Sequence, residues 1–329
     1  MRIWLQSSAY LPTPAPSTGG LEYIVASLGA ELARRGHEVT LFALDGSHVP
    51  GVELVSMFRY RTPSETETAV VDRMERRPRP DVLFDHSRWQ MAQRRWPNLA
   101  AVTMIHGNAA LEGHARNRVF CSVAHGRWHG AKEPVALLNG IEPSEFTVGG
   151  PMAGRGPALW LGRIMAYKRP HLAIDLCQRA GVPITVAGPA ADADYFSNEV
   201  RPRLQPEGWG RYVGELAGAE RLRLLSEACC LVFTSEAQEP AGIVMHEAMA
   251  SGTPVFAFDH GANREFINGM VTGYLAASEE EFEEWLRLRA WLSIDPAACR
   301  RHVEENLSIA AMTTKAEGLL AQAADGVTW

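Results

Sequence analysis

Two glutamates, Glu239 and Glu247, flank the run EPAGIVMHE with seven residues between them. Gly242 breaks the chain just before the apolar helical part of that run. Strand-like segments at residues 229–234 and 254–258 lead into and out of it, so the pattern predicts a strand–turn–helix–strand unit over residues 236–275. The turn leaves free backbone N–H groups at a helix N-terminus, where the partial positive charge favours an anion. Two carboxylates do little for a phosphate, but they suit the hydroxyls of a sugar. A phosphorylated sugar or nucleotide-sugar is the first ligand to consider.

A second set of chemically able residues lies upstream in LGRIMAYKRP. Gly162 lets the chain turn, Arg163 and Lys168 can reach one anion, and Pro170 suits the first turn of the helix that follows. Lysine is scarce here, at only Lys132, Lys168 and Lys315, so Lys168 stands out. A forked guanidinium beside a point charge makes a diphosphate clamp. The bland alternative, two solvated cations, sets them against the helix dipole. His106, in TMIHGN, follows an apolar strand and precedes a glycine. Gly19-Gly20 opens a helix, and reads either as a plain turn or as a close approach of backbone to a ligand phosphate or sugar.

The elements that must position these residues alternate. Residues 2–45 read β-α-β: a strand at 2–7, a proline-rich loop at 10–18, a helix with Leu21, Ile24, Val25, Leu28 and Leu32 on one face, and a strand at 38–44. Gly36 fits the position just past the helix. Further apolar segments occur at 52–58, 82–85, 101–106, 119–123 and 135–138. A Gly/Pro-rich break at 149–157 precedes a second series: strand 158–161, helix 168–180, strands 184–187 and 211–213, and helix 219–228. Such alternation predicts α/β architecture with parallel sheets covered on both faces, whose ligands bind beyond the carboxyl ends of the strands. The domains expected are 1–148, with a C-terminal helix at 308–329 returning to it, and 149–307. No GxGxxG follows the first strand, which weighs against a nicotinamide dehydrogenase.

A formal net charge of −6 argues against nucleic acid as a partner. The segment 59–95 carries nine arginines against six acids, read as a solvated face or, less favoured, a contact for an anionic acceptor or membrane. Five cysteines show neither disulfide nor zinc spacing. No apolar run approaches the ~18 residues of a membrane span, and Met1 runs straight into the first strand. The expectation is a cytoplasmic protein, monomer or homodimer, with at most peripheral membrane contact.

Several blocks, in order and covering most of the chain, resemble the retaining glycosyltransferases of family 4: GGLEYIVASLGAELARRGHEVTLFA, LLNGIEPSEF, LGRIMAYKRP, YVGELAGAERLRLLSEA and EPAGIVMHEAMASGTPVFAFDHGANREFI. The resemblance implies a GT-B fold, two doubly wound Rossmann-like domains facing each other across a cleft. It implies that Arg163 and Lys168 bind the donor diphosphate, Glu239 holds the donor sugar and Glu247 the nucleotide ribose. Gly242, Ile243 and Val244 would meet sugar and phosphate, Gly19 and Gly20 would line the cleft, His106 would lie by the transferred sugar and Val213 near the base. The sequence departs at Ala241, where the family often has Phe, and in its short first half.

On that resemblance the expected reaction moves a hexosyl or N-acetylhexosaminyl group from a nucleoside diphosphate sugar, UDP first and GDP next, to a small-molecule, lipid or glycan acceptor. No cofactor or metal is called for. With no carboxylate nucleophile evident, front-face substitution is expected rather than double displacement. The alternatives are a nucleotide-sugar 2-epimerase or phosphorylase of the same fold, or a non-catalytic sugar-binding module.

Overall fold

The computed structural model describes residues 1–15, 19–109, 113–149, 156–204, 209–236 and 239–329. Parts of the expected 10–18 loop, of the 149–157 break and of the run before Glu239 (16–18, 150–155 and 237–238) lie outside them. The chain forms two compact units, residues 1–141 with 309–329, and residues 142–308.

In the first unit, β1 (Arg2–Gln6), β2 (Glu38–Leu44), β3 (Glu53–Met57), β4 (Val82–Asp85), β5 (Ala101–Ile105), β6 (Arg118–Phe120) and β7 (Val135–Ala136) form one sheet in the order β3-β2-β1-β4-β5-β6-β7. Every adjacent pair is parallel. Strand β2 is buried at each position after Glu38, the continuous burial of a strand covered on both faces. Helices α1 (Gly20–Arg34), α2 (Pro63–Glu75), α3 (Met91–Arg95) and α4 (Val123–Trp128) supply the cover. On α1, Ile24, Val25, Leu28 and Leu32 are buried and Gly36 takes the left-handed φ of 89° just beyond its end. The apolar run 119–123 is not one strand. Ser122 accepts the His125 N–H at 3.0 Å and caps α4, so Val123 begins a helix.

The second unit holds β8 (Ala158–Leu161), β9 (Ile184–Ala187), β10 (Gly210–Tyr212), β11 (Leu231–Phe233), β12 (Val255–Phe258) and β13 (Gly273–Ala276), in the order β10-β9-β8-β11-β12-β13 and again all parallel. Its helices are α5 (Pro170–Arg179), α6 (Ala193–Tyr195), α7 (Gly218–Glu227), α8 (Ile243–Ala250), α9 (Asn263–Phe266), α10 (Glu279–Arg287) and α11 (Pro296–Asn306). The helix expected from residue 168 starts at Pro170, because Arg169 turns left-handed with φ 51°. Residues 142–148, expected in the first domain, pack with the second. Phe146 is buried there and its carbonyl accepts from Arg300 at 2.9 Å.

The last helix, α12 (Ile309–Ala324), belongs to the first unit, where Arg35 pairs with its Glu317 at 2.7 Å. All five cysteines are buried, and none forms a disulfide among the described residues. Much of the basic segment is engaged locally: Arg77 pairs with Glu53, Arg95 with Glu75, and Arg79 lies 3.9 Å over the Trp96 ring. No helix among the described residues is long and apolar enough to cross a membrane.

Both sheets are doubly wound, and each strand order reverses once: between β1 and β4 in the first, between β8 and β11 in the second. Loops leaving the two strands at such a point diverge to opposite faces and open a crevice at the carboxyl edge.

Candidate functional site

In the second unit the candidate residues gather over this reversal. The loop after β8 carries Gly162, Arg163 and Lys168, and the loop after the adjacent β11 carries Glu239 and Gly242. The two loops are sewn together. Glu236 N–H donates to the Tyr167 carbonyl at 2.9 Å, and the Thr234 hydroxyl donates to the Arg169 carbonyl at 2.8 Å. Lys168 Nζ then forms an ion pair and hydrogen bond with Glu239 Oε2, both side chains 17% exposed. Arg163 is exposed and has no carboxylate within ion-pair distance among the described residues. Gly162 is hemmed in by Gly188: a Cβ on Gly188, whose φ is 126°, would come within 1.9 Å of the Gly162 carbonyl oxygen. Only glycine allows this approach of β9 to the Arg163 loop.

Gly242 caps α8 with a left-handed φ of 53°. A Cβ there would lie 2.4 Å from Met245 Cε and 3.3 Å from Phe233 Cζ. The turn leaves the Ile243 and Val244 N–H groups in the first turn of α8, where an α-helix has no internal acceptor for them. Met245 N–H is the first to bond back, to the Gly242 carbonyl at 2.8 Å. Beside it Ala241 is buried. One turn on, Glu247 binds the guanidinium of Arg221, which stands on α7. Burial pushes the Glu247 carboxyl above its ordinary range while Arg221 pulls it back. Val213 sits at the end of β10, its N–H on the Val186 carbonyl at 3.0 Å, on the outermost strand of this sheet.

In the first unit His106 follows β5 and borders a cavity of about 120 Å³ shared with Ser8, Tyr10, His86, Arg88 and Gln90. Its Nε2 lies 2.8 Å from His86 Nδ1. Burial, with His125 nearby, drives its pKa down to about 3, so the ring is neutral at physiological pH. Gly19 and Gly20 begin α1 as expected, but the space beside them holds a carboxylate. Glu22 is buried, accepts the Ser8 hydroxyl, and its Oε2 would sit 2.8 Å from a Cβ on Gly19. An acid there takes the place an anion would occupy, which suits a sugar hydroxyl better than a phosphate.

Sequence reasoning brought out Arg163, Lys168, Glu239, Gly242 and Glu247, which this unit gathers on its reversal point, and His106, Gly19 and Gly20, which lie in the other. It missed Arg221, Glu22 and His86. Glu22 had a signal as an acid two residues beyond the glycine pair, and His86 had the one used for His106, a histidine just past a buried strand. Arg221 had none, since its partner is 26 positions away. No group of three or more His, Cys, Asp or Glu placed to hold a metal occurs among the described residues.

Comparison with known proteins bears on both units. Residues 154–307 match the family model of glycosyl transferases group 1, and residues 18–139 match that of glycosyltransferase family 4. Glycogen synthase of Mycobacterium tuberculosis (strain ATCC 25618 / H37Rv) is 31% identical over 179 residues, 52% of this chain. The match covers 42% of that relative, so the chain spans less than half its length. Among solved structures, AviGT4, a glycosyltransferase involved in avilamycin A biosynthesis, superposes with a TM-score of 0.80 at 22% identity, over 100% of this chain and 99% of its own. Sucrose-phosphate synthase from Thermosynechococcus elongatus gives 0.77 at 16% identity over 99% and 100%. Anabaena HepE, solved with UDP and glucose, gives 0.71 at 17% over 98% and 100%. At such identities the likeness is one of fold, and the fold is GT-B.

Proposed function

The chain belongs to the family 4 glycosyltransferases, and from that premise we propose that it moves a hexosyl or N-acetylhexosaminyl group from a nucleoside diphosphate sugar to an acceptor nucleophile with retention of configuration. The observation that carries the reading is the Lys168–Glu239 pair at the sheet reversal, beside the N-terminus of α8. Cation, carboxylate and amide donors there match the three parts of a sugar diphosphate. Lys168 and Arg163 bind the diphosphate, Glu239 the sugar hydroxyls, the Ile243 and Val244 amides the sugar–phosphate junction, and Glu247 the ribose. Val213 borders the base, and Gly19, Gly20 and His106 face the transferred sugar.

In the proposed step the bond from the anomeric carbon to the β-phosphate oxygen breaks and the acceptor oxygen bonds that carbon on the same face. The acceptor proton passes to the departing phosphate. Negative charge grows on the diphosphate while the sugar gains oxocarbenium character. Preorganised positive groups at Lys168, Arg163 and the helix N-terminus oppose the first charge, so the reading requires no metal. UDP is the favoured nucleotide, supported by HepE, which was solved with UDP, and GDP is next. The acceptor is a small molecule, lipid or glycan, and the setting is cytoplasmic with at most peripheral membrane contact.

A thermal-shift screen with UDP, GDP, ADP and TDP tests the donor site. A nucleotide at about 100 times its dissociation constant stabilises the fold by about 2.7 kcal/mol. A shift with one of them is expected, and no shift with any would overturn the reading.

A further inference from the structure

Two histidines close on one another at the edge of the first-unit cavity, His86 from the loop after β4 and His106 from the loop after β5. His86 Nδ1 and His106 Nε2 are 2.8 Å apart and the ring centres 5.0 Å apart. Centres that far apart, with the nitrogens between them, describe an edge-to-edge contact through a shared proton. Each ring is held from behind. The His86 ring packs 4.4 Å from the Phe84 ring, and the His86 backbone N–H donates to the Gln6 carbonyl at 2.9 Å. The peptide after His106 is pinned through the Gly107 carbonyl, which lies 3.3 Å from His125 Nε2 and 3.1 Å from His129 Nε2.

Burial keeps both rings of the pair neutral, so one proton lies between them and two arrangements compete. If His106 donates, His86 carries its own proton on Nε2. That atom is buried without a hydrogen-bond partner among the described residues. If His86 donates, the same atom is a bare lone pair. A buried N–H with no acceptor is the rarer and costlier defect, so the second arrangement prevails. His106 then accepts at Nε2 and bears its proton on Nδ1, which makes no hydrogen bond to a described residue but, unlike His86 Nε2, is not fully buried.

We propose that His86 is a positioning residue that fixes His106 as a neutral Nδ1–H donor, so that His106 offers the transferred sugar a hydrogen bond and not a base. This rests on the reading of His106 as a sugar-facing group. A ring that takes up a proton only in strong acid is a poor base near neutrality. As a fixed donor it needs no reorganisation when charge shifts on the sugar.

The test is nitrogen NMR of the full chain labelled in histidine, with His106→Gln assigning the resonance by its loss. Wild type should show His106 neutral and protonated on Nδ1 from about pH 5 to about pH 8. His86→Leu should abolish that preference and lower the rate of UDP release from UDP-glucose about tenfold or more, with KM for the donor little changed. GDP release from GDP-glucose replaces this assay if the nucleotide screen selects guanosine. His86→Asn, whose amide can donate from nearly the same place, should restore most of the rate. A proton on Nε2 of His106 in wild type, or an unchanged tautomer in His86→Leu, overturns the proposal. If His86→Leu unfolds, the wild-type and His86→Asn spectra decide. A tautomer that behaves as stated, with unchanged turnover in both His86→Leu and His106→Gln, instead overturns the role of His106 in transfer.

Discussion

Lys168 and Glu239, 71 positions apart in sequence, form an ion pair across the point where the second sheet reverses its strand order. On the proposed reading, a donor must part them, drawing Lys168 to the diphosphate and Glu239 to the sugar. Either residue alone is then insufficient. Lys168→Ala and Glu239→Gln should each lower kcat/KM more than tenfold, about 1.4 kcal/mol or more. In the unliganded protein Lys168→Ala strands a largely buried carboxylate and should cost about 1–2 kcal/mol. The double variant should recover part of that loss in urea denaturation. Simple additivity of the two would contradict a direct pair.

Arg221 stands behind Glu247 and should act on donor binding. Arg221→Met removes the charge that draws the Glu247 carboxyl down against burial, so that carboxyl should rise further. If Glu247 binds ribose equally in ground and transition states, donor KM should rise about tenfold with kcat nearly constant. A fall in kcat alone would place Glu247 in the chemical step instead.

Gly242 is required for its left-handed backbone. Alanine must adopt φ near 53° and put a methyl 2.4 Å from Met245 Cε. Gly242→Ala should cost about 1–2 kcal/mol, the left-handed strain, because Met245 Cε ends a flexible side chain and can move aside. Denaturation midpoints check this, and a loss under about 0.5 kcal/mol would show that the loop adapts freely.

The first unit should respond to pH in two opposing ways. Burial lowers His106 to about 3 and His125 to about 4, while in the unfolded chain each titrates near about 6.5. Below that value the unfolded chain takes up protons that the fold does not, so stability falls as pH drops from about 6.5. Glu67 runs the other way. Burial, then the Asp85 charge, raise it to about 7, so the fold keeps a proton that the unfolded chain has released. Stability therefore falls as pH rises from about 4.5 to about 7. Denaturation at several pH values should show His125→Asn flattening the acid slope and Glu67→Gln the opposite one.

Local sequence made much of the fold legible. Buried parallel strands read as unbroken apolar runs, as in EVTLFAL of β2, and α1 has a regular apolar face closed by Gly36. Errors fell where one side chain or one dihedral decides the boundary: Ser122 capping α4, Arg169 turning left-handed before α5. At the candidate site, residues of distinctive type stood out. Their partners did not, because Arg221 and His86 meet Glu247 and His106 only through the order in which strands are laid into the sheet. The carboxylate beside Gly19 is the instructive case, since a glycine pair opening a helix reads as an anion site until Glu22 is seen there.

Calorimetric titration of UDP-glucose and GDP-glucose into wild type, Lys168→Ala and Arg163→Ala measures the donor site itself. Saturable binding of one of these nucleotide sugars without added metal, weakened about tenfold or more by each substitution, is expected. Binding of neither sugar by the folded wild type, or equal affinity in all three proteins, would contradict it.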